Sequence, residues 1–469
     1  MKRLLLLLSL VAATIIFSAC GSEETVYEPY EPIYEESYEE IYEPQYEYAE
    51  IEGVYRRIMP RGSLTIEHFL EDLDYMVYVL ENNFALLDVA YWAHGIDYRQ
   101  LAQQARSLVL EMDEPCEDTF SAIVIYSFLP LFRTGNFTIF SLDSLEEHQQ
   151  TFRRYTGVKH TMNMDLTRSP LANRFYGSED QYRRNTFARK IEELIETYGM
   201  PFNRTFGAVP QPVVTEIIEA GRIAYVSTGH SSAYLWDARH KIFDFKQQVS
   251  NYQHLILDLR ENTGGGIGAF LDILLRPHLR EDFEAPMVFQ FFMDAPYINR
   301  FGDLLLQPTI GSFDLMGLQD PRRAHEILEE FNLPEINLDD MARLDYGAPS
   351  RRDRPIIPNR AFFPEEYIFD GNIWLLTDQG TTAASTLFAW YAQELEFATI
   401  VGDRTGGVVG GPRTMSFMPN TGIIFQFDVF YLTDSRGRPL EAGVIPHHFN
   451  REGMDALETT LALIYEGEW

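Results

Sequence analysis

From Gly221 onward the chain alternates apolar runs with glycine-rich loops and amphipathic segments, and this alternation constrains the fold more than any other feature. "RIAYVST" reads as a strand, "KIFDFKQQVSNY" as a helix, and "HLILDLR" as a strand apolar enough to be buried on both faces. The loop "ENTGGGIG" and a helix over 268–275 follow. Next come the strand "NIWLLT" and the stretch "TDQGTTAASTLFAW", whose helix is expected to begin at Thr381. The strand "ATIVGD", a second glycine loop "RTGGVVGG" and one long strand "GIIFQFDVFYL" complete the series. Strand–loop–helix order predicts an α/β core with parallel strands, in which loops at the strand ends carry the site.

Upstream, Ile66, Phe69, Leu70, Leu73, Val77, Leu80 and Phe84 follow helical spacing. Leu101, Ala105, Leu108, Val109 and Met112 repeat it, and residues 119–132 give a third, almost wholly apolar segment. Residues 63–140 thus form a helical amino-terminal domain, and 141–215 a linking region with a charged helix near 179–198 that ends at Gly199. The α/β core occupies 216–460, with an irregular, Pro-rich insertion at 276–365 expected to lie over the site.

The first residues, "MKRLLLLLSLVAATIIFSAC", place Lys2 and Arg3 before an apolar run too short to span a bilayer comfortably, then small residues before Cys20. This order resembles a bacterial lipoprotein signal over 1–20, which implies export and a lipid on Cys20 that holds the protein to a membrane, facing the periplasm or the cell exterior. Residues 21–52 contain twelve Glu, seven Tyr and no Lys or Arg, the composition of an extended tether. The net charge of −32 argues against a nucleic-acid partner, because phosphate contacts need clustered cations. With Cys20 lipidated, Cys116 is a lone cysteine, expected to be buried as a small hydrophobe.

In "LDLRENTGGG" a strand runs into glycines whose backbone amides can approach a ligand closely. A phosphate cradle would need a lysine and a Ser or Thr soon after, whereas the loop continues into "IGAFLDILL". An oxyanion hole and a tight structural turn remain. The start of the helix after "NIWLLT" offers unpaired amides of the same kind.

"LILDLRENTGG", "WLLTDQGTTAASTLFAW", "IVGDRTGG" and "GRPLEAGVIP" occur in an order and spacing that resembles the tail-specific protease family, the C-terminal processing and tricorn-core-like serine peptidases. The resemblance spans most of 64–460. It implies a crotonase/ClpP-like α/β core with an N-terminal helical domain, of the branch without a PDZ module. It also implies a serine opening the helix, and Ala383 stands at that position. A lysine base would fall where Val408 stands. A histidine base would fall in "LFRTGNFTIF", where Gly135 matches the motif's glycine and Asn136 occupies the histidine position. Glu441 matches the acid that orients the histidine, and Gly264, Gly265 and Ala384 supply the oxyanion-hole amides.

Other residues compete for the missing roles. Ser385 lies roughly 200° around the helix from Ala383 and is expected to face away. Thr381 and Thr382 are nearer but lack a dedicated base, and His230 ends a strand. His447 and His448 are sequence neighbours without the spacing of a metal site, and no metal or other cofactor is implied. The leading reading is an exported lipoprotein with a serine peptidase fold that has lost its nucleophile and base and binds peptide or protein segments at the cell surface. The alternative is an active serine-type peptidase with a relocated nucleophile. A third reading is a wall or adhesin-type protein that works through its acidic, Tyr-rich tether.

Overall fold

The computed structural model describes residues 48–51, 54–143, 145, 167, 169–177, 181–199, 211–295, 321–350, 355–360, 363–407 and 413–467. The signal segment with Cys20, the acidic stretch to residue 47, and Val408 lie outside the described residues. The last residues of the expected tether are not all linker, because β1 (Tyr48–Ile51) pairs antiparallel with β2 (Val54–Arg57). Among the described residues no helix is long and apolar enough to cross a membrane.

Four helices follow: α1 (Ile66–Asn83), α2 (Leu87–His94), α3 (Tyr98–Leu110) and α4 (Glu117–Phe128). Thr65 opens α1 in a capping box with His68, and Asp97 opens α3 by accepting from the Arg99 amide at 3.0 Å. Helix α2 was not legible, since eight residues of "LDVAYWAH" are too few to show a period. Cys116 is exposed, contrary to expectation. It occupies the N-cap of α4 at the surface, while the next residue, Glu117, turns inward to pair with Arg174 at 2.7 Å. Strand β3 (Thr138–Ile139), α5 (Pro170–Tyr176) and α6 (Gln181–Tyr198) complete this region, and α6 stops at Gly199 as read.

The core begins with β4 (Val214–Glu219) and β5 (Ile223–Ser227), then α7 (Ser232–Asp237) and α8 (Arg239–Gln248). Strand β6 (His254–Asp258) leads through the first glycine loop into α9 (Ile267–Phe270), which continues as a π turn over Leu271–Leu275. The insertion is more regular than its composition suggested. It carries β7 (Val288–Phe292), β8 (Arg322–Arg323), α10 (Ala324–Glu330), α11 (Leu338–Met341) and β9 (Tyr346–Ser350). After it come β10 (Asn372–Thr377), α12 (Ala384–Glu394) and β11 (Thr399–Gly402). The expected long strand after the second glycine loop is instead divided. Strand β12 (Arg413–Phe417) pairs with β13 (Ile424–Asp428), and β14 (Tyr431–Thr433) turns away to join β7. Strand β15 (His448–Phe449) and α13 (Ala456–Glu466) end the described chain.

The central sheet has the order β15-β11-β10-β6-β5-β4, parallel except for the β4 edge. Its residues alternate between two apolar layers with the strand period of two. Leu255, Leu257, Ile373 and Leu375 face α8, α9 and α12, whereas Ile256, Trp374, Leu376 and Val401 face α13. A separate, continuous core joins α1–α4 to β13, β14, β7 and α10, so the helical region shares its interior with the smaller sheets. Buried acids tie the parts together. Asp72 of α1 accepts from the Asn420 and Thr421 amides at 2.7 and 2.8 Å, and Asp340 accepts from Tyr431 Oη at 2.6 Å and from Trp92.

Behind the first glycine loop, buried Lys246 of α8 donates to the carbonyls of Ile273 and Leu274 in the π turn, at 3.0 and 3.4 Å. A π turn displaces carbonyls from the regular helical ladder, and the ammonium supplies donors to them. Burial brings Lys246 down to about 7 from its ordinary 10.5. The unfolded chain therefore holds a proton that the native chain releases, and stability rises with pH between these two values. Urea midpoints measured from pH 7 to 9 are expected to climb in the native sequence. Lys246→Met should flatten that climb whatever it does to the baseline.

Candidate active site

Because β5, β6, β10 and β11 are parallel, the loops leaving their carboxyl ends emerge at one edge of the sheet. Asn262 joins three of those loops. Its Nδ2 donates to Thr228 Oγ1 and to the Gly229 carbonyl at 3.1 and 2.9 Å, and its Oδ1 accepts from the Gly264 amide at 2.9 Å. Its own carbonyl accepts from the Thr382 amide at 3.0 Å and from Ser385 Oγ at 2.7 Å. The loop after β11 closes the set: Gly406 N donates to the Thr381 carbonyl and Ala383 N to the Gly407 carbonyl, both at 2.8 Å.

Ala383 sits half-buried at the tip of this assembly, beside both glycine turns and outside the hydrophobic interior. Its backbone has φ 55° and ψ −123°, a conformation that L-residues rarely adopt and that costs on the order of 1–3 kcal/mol. This is the sharp strand-to-helix turn that lifts a side chain clear of the helix it precedes. It also explains why α12 starts at Ala384 instead of Thr381, since a positive φ cannot belong to a right-handed helix. The approach of the glycine loop is equally tight. A Cβ on Gly264 (φ +86°) would fall 2.7 Å from Ala383 Cβ and 2.6 Å from Ala384 N.

The oxyanion-hole candidates divide. The Gly264 amide is committed to Asn262, while among the described residues the Gly265 and Ala384 amides have no recorded acceptor. Ala384 opens α12, so its N–H is one of the amides a helix leaves unpaired, and the helix dipole favours negative charge there.

Asn136 and Glu441 meet at a second turn. Glu441 is buried, and its Oε1 accepts from the Gly135 amide at 2.8 Å. The Glu441 backbone lies so close to Gly407 that a Cβ there would come within 1.9 Å of its carbonyl oxygen. Gly407 thereby bridges Ala383 on one side and Glu441 on the other. Phe84 closes under the turn, where a Cβ on Gly135 would meet its ring at 2.5 Å. Asn136 has φ +50° and donates from Nδ2 to Asp428 Oδ2 at 2.8 Å. Two participants escaped the sequence reading, Asp428 in β13 and His94 at the end of α2. His94 Nε2 lies 3.1 Å from the Glu441 carbonyl oxygen. Burial lowers the His94 pKa, the Glu441 carbonyl opposes, and Arg133 and Arg404 reinforce the lowering.

Ser385, Thr381 and His447 are engaged in structure. Ser385 is fully buried and donates to the Asn262 and Thr382 carbonyls, and Thr381 donates to the Leu259 carbonyl at 3.0 Å. Thr382 packs its methyl toward Gly406. His230 is buried beside the first glycine loop, where its backbone carbonyl accepts from Thr263 N at 2.8 Å; its ring Nδ1 has no hydrogen-bond partner among the described residues, and burial lowers its pKa. His447 Nδ1 accepts from the Ile400 amide at 2.9 Å, a structural use. Among the described residues no group of three or more His, Cys, Asp or Glu is placed to hold a metal ion.

Residues 222–448 match peptidase family S41, from the start of the parallel sheet to its last strand. The chain carries an S41 peptidase domain. The match agrees with the resemblance drawn from the four motifs and makes this a peptidase-like protein with an α/β core and a helical amino-terminal region. No curated protein sequence matches the chain. Among solved structures, a candidate peptidase from Parabacteroides merdae is 14% identical, with 86% of this chain and 97% of that one covered and a TM-score of 0.43. Mature CPAF complexed with lactacystin is also 14% identical, covering 86% and 99% with a TM-score of 0.45. The photosystem II D1 C-terminal processing protease is 13% identical, covering 83% and 94% with a TM-score of 0.34. The assignment rests on the S41 match and not on these distant likenesses.

If the S41 glycine loop must touch the elbow, its glycines are not interchangeable. Gly264→Ala is expected to lose more than about 2 kcal/mol of stability in urea denaturation, through clash and positive φ together. Gly268→Ala, in α9 with open space around its Cα, is expected to be neutral or to gain up to about 1 kcal/mol.

Proposed function

We propose that this protein is a non-catalytic relative of the S41 peptidases that binds peptide or protein segments, exported and held at a membrane by a lipid on Cys20. The observation that carries the reading is Ala383 at the strained elbow between β10 and α12. The conformation that presents a nucleophile is kept, and the residue in it has no oxygen to attack with. At the companion position Asn136 provides an amide, which has no useful basicity near neutral pH.

What remains suits binding. The Gly265 and Ala384 amides are free to donate to a carbonyl oxygen, as oxyanion-hole amides donate to the charge they stabilise. With nucleophile and base both replaced, residual hydrolysis would draw only on binding and those donors. Relocation of the nucleophile finds little support, because Ser385 and Thr381 donate to backbone carbonyls beneath the elbow. The lipid anchor rests on the order of charged, apolar and small residues before Cys20.

The purified protein is expected to show no labelling by a fluorophosphonate and no cleavage of casein. Fluorescein-labelled casein peptides should bind, as read by anisotropy, and be recovered at unchanged length. Ala383→Ser alone should add only trace labelling, since no base accompanies it. Turnover by the native chain that a single Ser or Thr substitution abolishes would overturn the proposal. For the anchor, Cys20→Ala is expected to move the protein from the membrane to the soluble fraction.

A further inference from the structure

Two carboxylates reach the turn at 135–136, and they reach different parts of it. Glu441 Oε1 accepts from the backbone amide of Gly135 at 2.8 Å. Asp428 Oδ2 accepts from the side chain of Asn136, also at 2.8 Å. Asp428 is fully buried on β13, and its own amide donates to the Gly135 carbonyl at 2.9 Å, so the carboxylate is held in register with the turn. Gln426, on the same strand, donates from Nε2 to the Asn136 carbonyl at 3.2 Å. Strand β13 thus grips position 136 through both backbone and side chain.

From this geometry we infer that Asp428 is the positioning residue for the side chain at position 136, and that Glu441, which the family resemblance makes the orienting acid, secures the backbone of the turn instead. The inference rests on the reading of Asn136 as a substituted base position. Covalent geometry supports it. Asn Nδ2 and His Nδ1 are both one bond beyond Cγ, so the Asn136 amide nitrogen occupies the place of a histidine Nδ1–H. Asparagine retains the hydrogen bond that would orient an imidazole and lacks the Nε2 half that would take a proton. The backbone is compatible too, because His joins Asn and Asp among the non-glycine residues enriched at positive φ. In the native chain Asp428 Oδ2 accepts from Asn136 Nδ2, which leaves Oδ1 as the acceptor on the other edge of the amide. An acceptor fixed in that way suits the N–H of an extended peptide.

The test uses the full chain carrying N136H, with histidine ring nitrogens labelled for NMR. The introduced imidazole is expected to be protonated on Nδ1 when neutral, with its ring N–H close to the Asp428 β-protons. Adding D428N should lower the pKa of that imidazole by about one unit or more, and adding E441Q by a fraction of that. The reverse pattern, or a ring N–H close to Glu441, would overturn the assignment. The proximity measurement needs only N136H, so it decides even if D428N fails to fold. A second arm separates this inference from the reading beneath it. In A383S/N136H, attack on a fluorophosphonate forms an oxygen–phosphorus bond as fluoride leaves, and the introduced imidazole takes the hydroxyl proton. Labelling is expected, and D428N should slow it by about 100-fold. Absence of labelling alongside the expected NMR pattern would overturn the reading of Ala383 while leaving Asp428 in place. Labelling that D428N does not slow would count against Asp428.

Discussion

The arrangement of this site depends on the Asn262 side chain and carbonyl. Asn262 is fully buried, and a buried amide has to place two donors and an acceptor or forfeit their hydration. It does so by joining loops that the parallel sheet brings only to the same edge. Through Thr228 and Gly229 it holds the loop after β5, through the Gly264 amide its own glycine turn, and through its carbonyl the Thr382 amide and the Ser385 hydroxyl. The elbow that carries Ala383 is therefore anchored from below by hydrogen bonds that involve no catalytic group.

That independence means that the backbone of the site keeps its shape whatever side chain stands at the elbow. An elbow, a helix N-terminus and a glycine loop are properties of the backbone, maintained by neighbours such as Asn262 and Gly407. A nucleophile is one oxygen on one side chain. Ala383 fills the space of most of a serine, and the bond its amide makes to the Gly407 carbonyl needs no hydroxyl. The strained φ persists because Gly264 packs against the elbow and the Gly407 carbonyl holds the Ala383 amide. Asn136 belongs to the same pattern, since its amide meets Asp428 and the turn around it remains intact.

Much of the core was legible because its signals are local. The strand read as "NIWLLT" is β10 to the residue, and β6 lies within "HLILDLR", because an unbroken apolar run between polar loops has few alternatives. Other elements could not be read this way. Helix α2 is too short to show a period, so His94 went unnoticed. The run "GIIFQFDVFYL" looks like one strand because apolar content does not record which sheet a residue joins; Asp428 ends one pairing and Tyr431 begins another. Cys116 was expected inside on the strength of its type, yet a helix N-cap and a paired neighbour put it outside.

By itself the sequence determined the order of strands, glycine loops and helices, the S41 type of core, and the absence of a hydroxyl at residue 383 and of an imidazole at residue 136. Each of these is a matter of residue identity or short-range pattern, which a linear chain carries directly. Only the tertiary structure decided that Gly407 touches both Ala383 and Glu441, that the Gly264 amide is already engaged, and that Asp428 reaches Asn136. Asp428 and Asn136 are 292 residues apart. Their meeting follows from the antiparallel register of β13 with β3, and such a register arises from packing over the whole domain and leaves no mark near either residue.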